Sequence, residues 1–175
     1  MSSDEARFEA ARVLGSLEVS ASELGYRAQA LLAESLARMG AGVDAVARIG
    51  HPDVTARIGG RALRIQSKAT GQRSFALSAE DLEGIRPRAS DQEGYIAVLD
   101  LGPPAAWICV RHARAQTLVG RTVPLAMLKA MDDAQFSSQC TDVFVDLVLD
   151  NRASIEAFTF SLVRRRALDR GGGEG

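Results

Sequence analysis

Apolar residues recur at helical spacing after Ser20, at Leu24, Ala28, Leu31, Leu32, Leu36 and Met39. This stripe predicts one long amphipathic helix. Ser20 and Glu23 have the spacing of a capping box at its start, and Gly40 and Gly42 stop it. The pattern then changes to short runs. Residues 43–49 read as a strand, and 54–58 and 61–67 as two alternating runs split by Gly59-Gly60, which is a hairpin signal. A polar stretch after Lys68 leads to Phe75-Ala-Leu. Ser78 with Asp81 caps a short helix that ends before Pro87. Residues 94–101 form a buried strand, and Gly102-Pro103-Pro104 turns the chain into another over 105–110. The remainder predicts a helix from Pro124, a strand over 143–149 and a last helix over 153–168. Both ends read as loose: the opening is at most a short amphipathic helix, and the Gly-rich tail has the composition of a disordered end.

The order of these elements gives an α/β fold with a central mixed sheet flanked by helices, plus a C-terminal strand–helix extension. The expected organisation is an N-terminal segment over 1–19, a core over 20–115, an extension over 116–169 packed on that core, and a tail over 170–175.

In the polar set, the Gly-Gly loop fixes a register. If residues 58 and 61 flank the loop, Ala56 faces Leu63, Val54 faces Ile65 and Asp53 faces Gln66. Val54, Ile58, Leu63 and Ile65 then share one face. Asp53, Thr55, Arg57, Arg64, Gln66 and Lys68 share the other. A one-residue slip would scramble that separation. Opposed residues have Cβ atoms ~5 Å apart and diagonal ones ~7–8 Å, so Asp53, Gln66 and Lys68 converge. Carboxylate and amide oxygens suit magnesium, a hard cation can neutralise a phosphate and generate hydroxide, and a nearby lysine can orient water or stabilise developing negative charge. The bland alternative, a solvated face with one Asp–Lys pair, contributes little.

His51-Pro52-Asp53, followed by Gln66-Ser67-Lys68, resembles the PD…(D/E)xK signature of the PD-(D/E)xK nuclease superfamily. Gly25-Tyr-Arg-Ala-Gln29 opens its helix much as Gly-x-x-x-Glu does in archaeal Holliday-junction resolvases. The later helix and strands, Phe75-Ala-Leu-Ser-Ala-Glu-Asp-Leu, Gly94-Tyr-Ile-Ala-Val-Leu and Ala106-Trp-Ile-Cys-Val, are similar to those of the same fold. The likeness covers roughly residues 22–115 and implies a restriction-endonuclease-like core. Where the family commonly has an acid this chain has Gln66, as in the Gln-x-Lys version of methyl-directed restriction enzymes. The family's helix glutamate aligns with Gln29. On a helical wheel Gln29 lies ~20° from Leu36 and faces inward, whereas Glu23 and Glu34 lie ~140–160° away and point outward. Asp53 is then the one carboxylate clearly in the cluster.

The resemblance implies a metal-dependent nuclease that hydrolyses DNA phosphodiester bonds, in repair or defence. Magnesium or manganese would be held by Asp53, the Gln66 side-chain oxygen and the Ser67 carbonyl. Lys68 would position or activate the water, and Gln29 would orient it or a neighbouring ligand. The alternative is an inactive nuclease-fold module that binds nucleic acid or scaffolds a larger assembly; the enzyme is the preferred reading.

Charge and composition modify this little. The net charge is −1, so DNA binding must come from a local patch. Residues 48–88 carry eight Lys or Arg against four Asp or Glu, and Arg57, Arg64 and Arg73 are the expected phosphate contacts. The expected partners are DNA and a second copy of the chain or a larger defence or repair assembly. No apolar run approaches the ~20 residues of a membrane helix, and the opening lacks the pattern of a signal peptide; a cytoplasmic location is expected. Cys109 and Cys140 read as buried reduced thiols on strand-like segments, Trp107 as core, and His51 as a loop residue without a role. Asp142, Asp146 and Asp150, on the predicted late strand, lie ~13 Å apart in sequence neighbours and read as solvated. The run Arg164-Arg165-Arg166 suits a helix C-terminus.

Overall fold

The computed structural model describes residues 1–45 and 52–168. Helices α1 (Ser3–Gly15) and α2 (Ala21–Arg38) precede strands β1 (Gly42–Ala45), β2 (Val54–Ile58), β3 (Arg61–Thr70) and β4 (Ser74–Ala76). Then come α3 (Ala79–Ile85), β5 (Gln92–Asp100), β6 (Ala106–Arg111), α4 (His112–Ala115), β7 (Thr122–Pro124), α5 (Leu125–Ala130), α6 (Ala134–Asp150) and α7 (Ile155–Leu168). The main sheet has the order β1-β2-β3-β5-β6, and β4 pairs with β7 in a separate ribbon. Among the described residues only the β3–β5 pairing is parallel. The result is a mixed sheet flanked by helices, as the element order predicts.

The hairpin register is the one the Gly-Gly loop dictates: Val54 faces Ile65, Ala56 faces Leu63 and Ile58 faces Arg61. Gly59 and Gly60 take φ of +56° and +77°, the left-handed pair that a two-residue hairpin turn requires.

The two faces of the sheet are covered differently. Val54, Ala56, Leu63, Ile65, Tyr95, Ala97, Leu99, Trp107 and Cys109 point into one core with α1, α2 and α6. Ile96, Val98, Ile108 and Val110 point the other way, against Leu82 and Ile85 of α3, Leu118, and Leu125 and Leu128 of α5. That second cover stops at β5–β6. Over β2 and β3 the same face carries Thr55, Arg57, Arg64, Gln66 and Lys68, all short of full burial. The polar half of an otherwise covered face is where the sequence places its candidate chemistry.

Two expectations are corrected. Residues 143–149 are not a strand but part of α6. The run Val-Phe-Val-Asp-Leu-Val-Leu favours a strand by local propensity, yet Ser137, Cys140, Thr141, Phe144, Val145, Leu147 and Val148 are buried at helical spacing. Tertiary burial of that stripe overrides the β-branched preference. Cys140 therefore sits on a helix, while Cys109 is on β6; both are buried free thiols. Asp142, Asp146 and Asp150 lie on the exposed side of α6, solvated as expected but on a helix. The opening segment is not loose. Ser2 and Glu5 form a capping box, and Ala10, Ala11, Val13 and Leu14 are buried; small alanines made this apolar face faint in the sequence. The Gly-rich tail lies outside the described residues. Trp107 is core, edge-on to Phe144. Among the described residues no helix is long and apolar enough to cross a membrane.

Candidate active site

Asp53 stands one residue before the β2–β3 ladder begins, and its side chain continues that ladder. Oδ2 accepts from the Ser67 backbone N–H at 3.0 Å and from Gln66 Nε2 at 2.7 Å. The carboxylate thus supplies Ser67 with the acceptor that another β2 residue would have provided. A strand residue turns its N–H and C=O toward the same neighbour, so the Ser67 carbonyl also faces the Asp53 side of β3. Gln29, on the inward face of α2, donates from Nε2 to the Asp53 carbonyl oxygen at 2.9 Å. Gln29 therefore fixes the backbone of Asp53 rather than its carboxylate.

Lys68 follows Gln66 on the same face, ~7 Å further along the strand. Its Nζ donates to Asp81 Oδ1 at 2.9 Å. Asp81 belongs to the first turn of α3. Its Oδ2 accepts from Ser78 N, and Ser78 Oγ accepts from Asp81 N, at 3.0 and 3.1 Å. This reciprocal cap fixes the carboxylate that receives the lysine. The far end of α3 is also tied to β3, by Arg64 Nη2 and Nε donating to the Gly84 carbonyl at 2.8 and 3.3 Å. Gly94 permits the close approach: a Cβ there would lie 2.0 Å from the Ile85 carbonyl oxygen.

The sequence shows Asp53 as the one carboxylate of the cluster; the structure adds Asp81, bound to Lys68. The Ser78–Asp81 cap was visible in the sequence, but nothing local shows that the crossover returns α3 over Lys68. Glu23 and Glu34, the acids expected to point outward, are both intermediate in burial. Glu23 is at the surface, paired with Arg27 at 2.5 Å. Glu34 is half-buried and has a partner.

The electrostatics of the two site acids differ. Burial pushes the Asp53 carboxyl up; the Ser67 N–H, the Lys68 ammonium and the Gln66 amide pull it down, Asp81 pushes it up again, and the net shift is upward. Burial also pushes Asp81 up, but the Ser78 N–H and Lys68 outweigh it and hold Asp81 below its ordinary value. The ionised form of Asp53 is thus the strained one, and additional positive charge would relieve it. Among the described residues, Asp53 Oδ1 accepts no hydrogen bond and neither does Gln66 Oε1, whose amide is engaged through Nε2. Carboxylate, amide and carbonyl oxygens form a donor set that fits a hard divalent cation. With one formal charge from Asp53 the fit is to weak binding. Among the described residues no three His, Cys, Asp or Glu side chains form a ready cage.

Beside the cluster, on the same sheet face, a groove of 240 Å³ is lined by Asp44, Thr55, Arg57, Arg64 and Gln92 among others. Arg57 is exposed and 3.6 Å from Asp91. Arg64 is half-buried on Gly84, and Arg73 is exposed. Arg61 pairs with Glu93 at 3.0 Å and Arg86 with Glu83 at 3.7 Å, so much of the basic patch is balanced locally. His51 lies outside the described residues.

No family model and no curated protein matches the chain. Among solved structures it is similar to Hjc of Archaeoglobus fulgidus, a Holliday junction resolvase from an archaeal hyperthermophile. The identity is 24%, the match covers 65% of this chain and 95% of that one, and the TM-score is 0.52. At that identity the likeness establishes the fold: a mixed sheet flanked by helices in the manner of the resolvase, extended here by further helical chain.

Proposed function

We propose that the protein is a magnesium- or manganese-dependent endonuclease that hydrolyses DNA phosphodiester bonds at the Asp53–Gln66–Lys68 face. The observation that carries this reading is the Asp53 carboxylate itself. It is anchored on one oxygen by Gln66 and Ser67, open on the other among the described residues, destabilised as an anion by burial, and neighboured by a lysine. A purely structural carboxylate in that position would be expected to have both oxygens satisfied.

Asp53, Gln66 Oε1 and the Ser67 carbonyl would hold the cation. Bound there, it would neutralise phosphate charge and lower the pKa of a water molecule. Lys68 would place its ammonium beside the phosphate oxygen on which negative charge develops. Gln29 would keep Asp53 in place through the backbone. Arg57, Arg64 and Arg73 would meet flanking phosphates. The resolvase whose fold this chain shares suggests branched DNA as a substrate, and a two-fold junction would suit a second copy of the chain.

The test is cleavage of supercoiled plasmid and of a four-way junction with manganese present, by the wild type and by Lys68→Ala. We expect the wild type to cut and the variant to lose at least about 100-fold in rate, the scale of removing one transition-state charge contact. Absence of cutting by the wild type on both substrates, or equal cutting by the variant, would refute the assignment.

A further inference from the structure

Lys68 has two carboxylates within its range. Gln66, its neighbour on the strand face, is bonded to Asp53 at 2.7 Å, and the Lys68 charge is felt at Asp53. Yet the ammonium is bound to Asp81 at 2.9 Å. The contest is decided by how each acid is held. Asp81 is locked by a capping box at the start of α3, with its side chain 14% exposed. That helix is fastened to β3 and β5 by Arg64 on the Gly84 carbonyl and by the close approach at Gly94. Asp53, in contrast, spends one oxygen on β3 and, among the described residues, leaves the other open.

We propose that Asp81 is a positioning residue: it draws the Lys68 ammonium aside so that the open oxygen of Asp53 remains available to a divalent cation. The inference rests on the nuclease reading of the same cluster. Without the Asp81 charge, the flexible four-carbon stem of Lys68 lets the ammonium turn to the next anion. That anion is Asp53, and a charge-assisted hydrogen bond there would compete directly with the cation. A second consequence follows for the reaction. With Asp81 in place, lysine and cation occupy separate positions on the phosphate's approach; without it, they exclude one another.

The experiment is calorimetric titration of manganese into DNA-free protein, for the wild type, Asp81→Asn, Lys68→Met, the double variant and Ser78→Ala. Asn at position 81 retains an oxygen for the Ser78 N–H, so the helix cap survives. Ser78→Ala weakens the cap and keeps the Lys68 contact, which separates a loss of α3 stability from a loss of the bridge. We expect Asp81→Asn to weaken manganese binding by about tenfold, the size of one modest charge-assisted contact. Ser78→Ala should bind as the wild type does. In the Lys68→Met background the same Asp81→Asn change should have no effect, because no ammonium remains to be misplaced. Equal weakening in both backgrounds would mean that Asp81 acts on the cation directly, and overturns the proposal. So does an unchanged Asp81→Asn, or a Ser78→Ala that reproduces its loss; in each of these cases the wild type still binds and cuts, and the nuclease reading stands. A wild type that binds no manganese and cuts no DNA overturns both.

Discussion

Asp53 and Asp133 are both partly buried carboxylates at the start of an element packed on the same sheet, and the fold treats them in opposite ways. Asp133 caps α6. Its Oδ1 accepts from Phe136 N at 3.3 Å, and its Oδ2 accepts from Arg111 Nε at 2.9 Å and from Tyr95 Oη at 3.2 Å. Burial pushes this carboxyl up, but Arg111, the Phe136 N–H and Tyr95 outweigh it, and the group is held below its ordinary value. Asp53 accepts two hydrogen bonds from the described residues, both on Oδ2, and burial wins. One acid is satisfied as an anion by the protein alone; the other is left in deficit. The difference teaches how a structural carboxylate can be told from one kept for a cation: count the partners on each oxygen, then ask which protonation state the site favours.

The largest effects expected from this contrast are on activity. Asp53→Asn should abolish manganese-dependent cleavage, by at least about 100-fold, whereas Asp133→Asn should leave the rate within a few-fold of wild type in the same plasmid assay. Loss of activity in both would erase the distinction.

Next in size is stability. Asp133→Ala removes a helix cap and a partly buried charge partner of Arg111 and should cost about 2 kcal/mol in denaturant unfolding at neutral pH. The sign follows from its depressed pKa. The stability Asp133 contributes is present above the ordinary carboxylate range and is lost as pH falls through its folded value, so the cost should fade in acid. For Asp53 the sign is reversed. Its folded pKa lies above the ordinary one, so the folded state binds the proton more tightly. Stability then declines as pH rises between the ordinary value and the raised one. Metal-free Asp53→Asn should therefore match the wild type in acid and unfold at a higher temperature near neutral pH. A variant less stable than wild type at neutral pH would show that the anion is favoured there after all.

A smaller effect sharpens the same contrast. Gln66→Glu puts a second carboxylate beside the first. Without metal it should lower the melting temperature, because like charges face each other across the hairpin and Lys68 is already engaged with Asp81. Millimolar magnesium or manganese should give this variant a larger rise in melting temperature than the wild type. No gain over wild type would argue that this face does not take a cation.

Much of this was legible in the sequence because it is local. Gly59-Gly60 fixes the hairpin, the alternation of Val54, Leu63 and Ile65 with Arg64, Gln66 and Lys68 fixes the register, and together they bring Gln66 to Asp53. The inward turn of Gln29 follows from one helical stripe. What was not legible is long-range or locally contradictory. Asp81 reaches Lys68 only because the β3–β5 connection crosses back over the sheet, and its cap signal gave no hint of that destination. The Arg64 contact with the Gly84 carbonyl has the same long-range origin. Residues 143–149 have strand propensity and helical burial, and the core of α1, α2 and β6 against which they pack decides for the helix. The pairing of β4 with β7 joins segments too short and too distant for either to announce the other.

The fold destabilises the Asp53 anion, and a divalent cation should reverse this. The most direct measurement is thermal melting of the wild type and Asp53→Asn near neutral pH, each with and without millimolar manganese. Without the metal, the variant should melt at the higher temperature; with it, the wild type should rise and the variant should not, so that the gap narrows or reverses. An equal manganese shift in both proteins, or a metal-free variant that melts below the wild type, would contradict the claim.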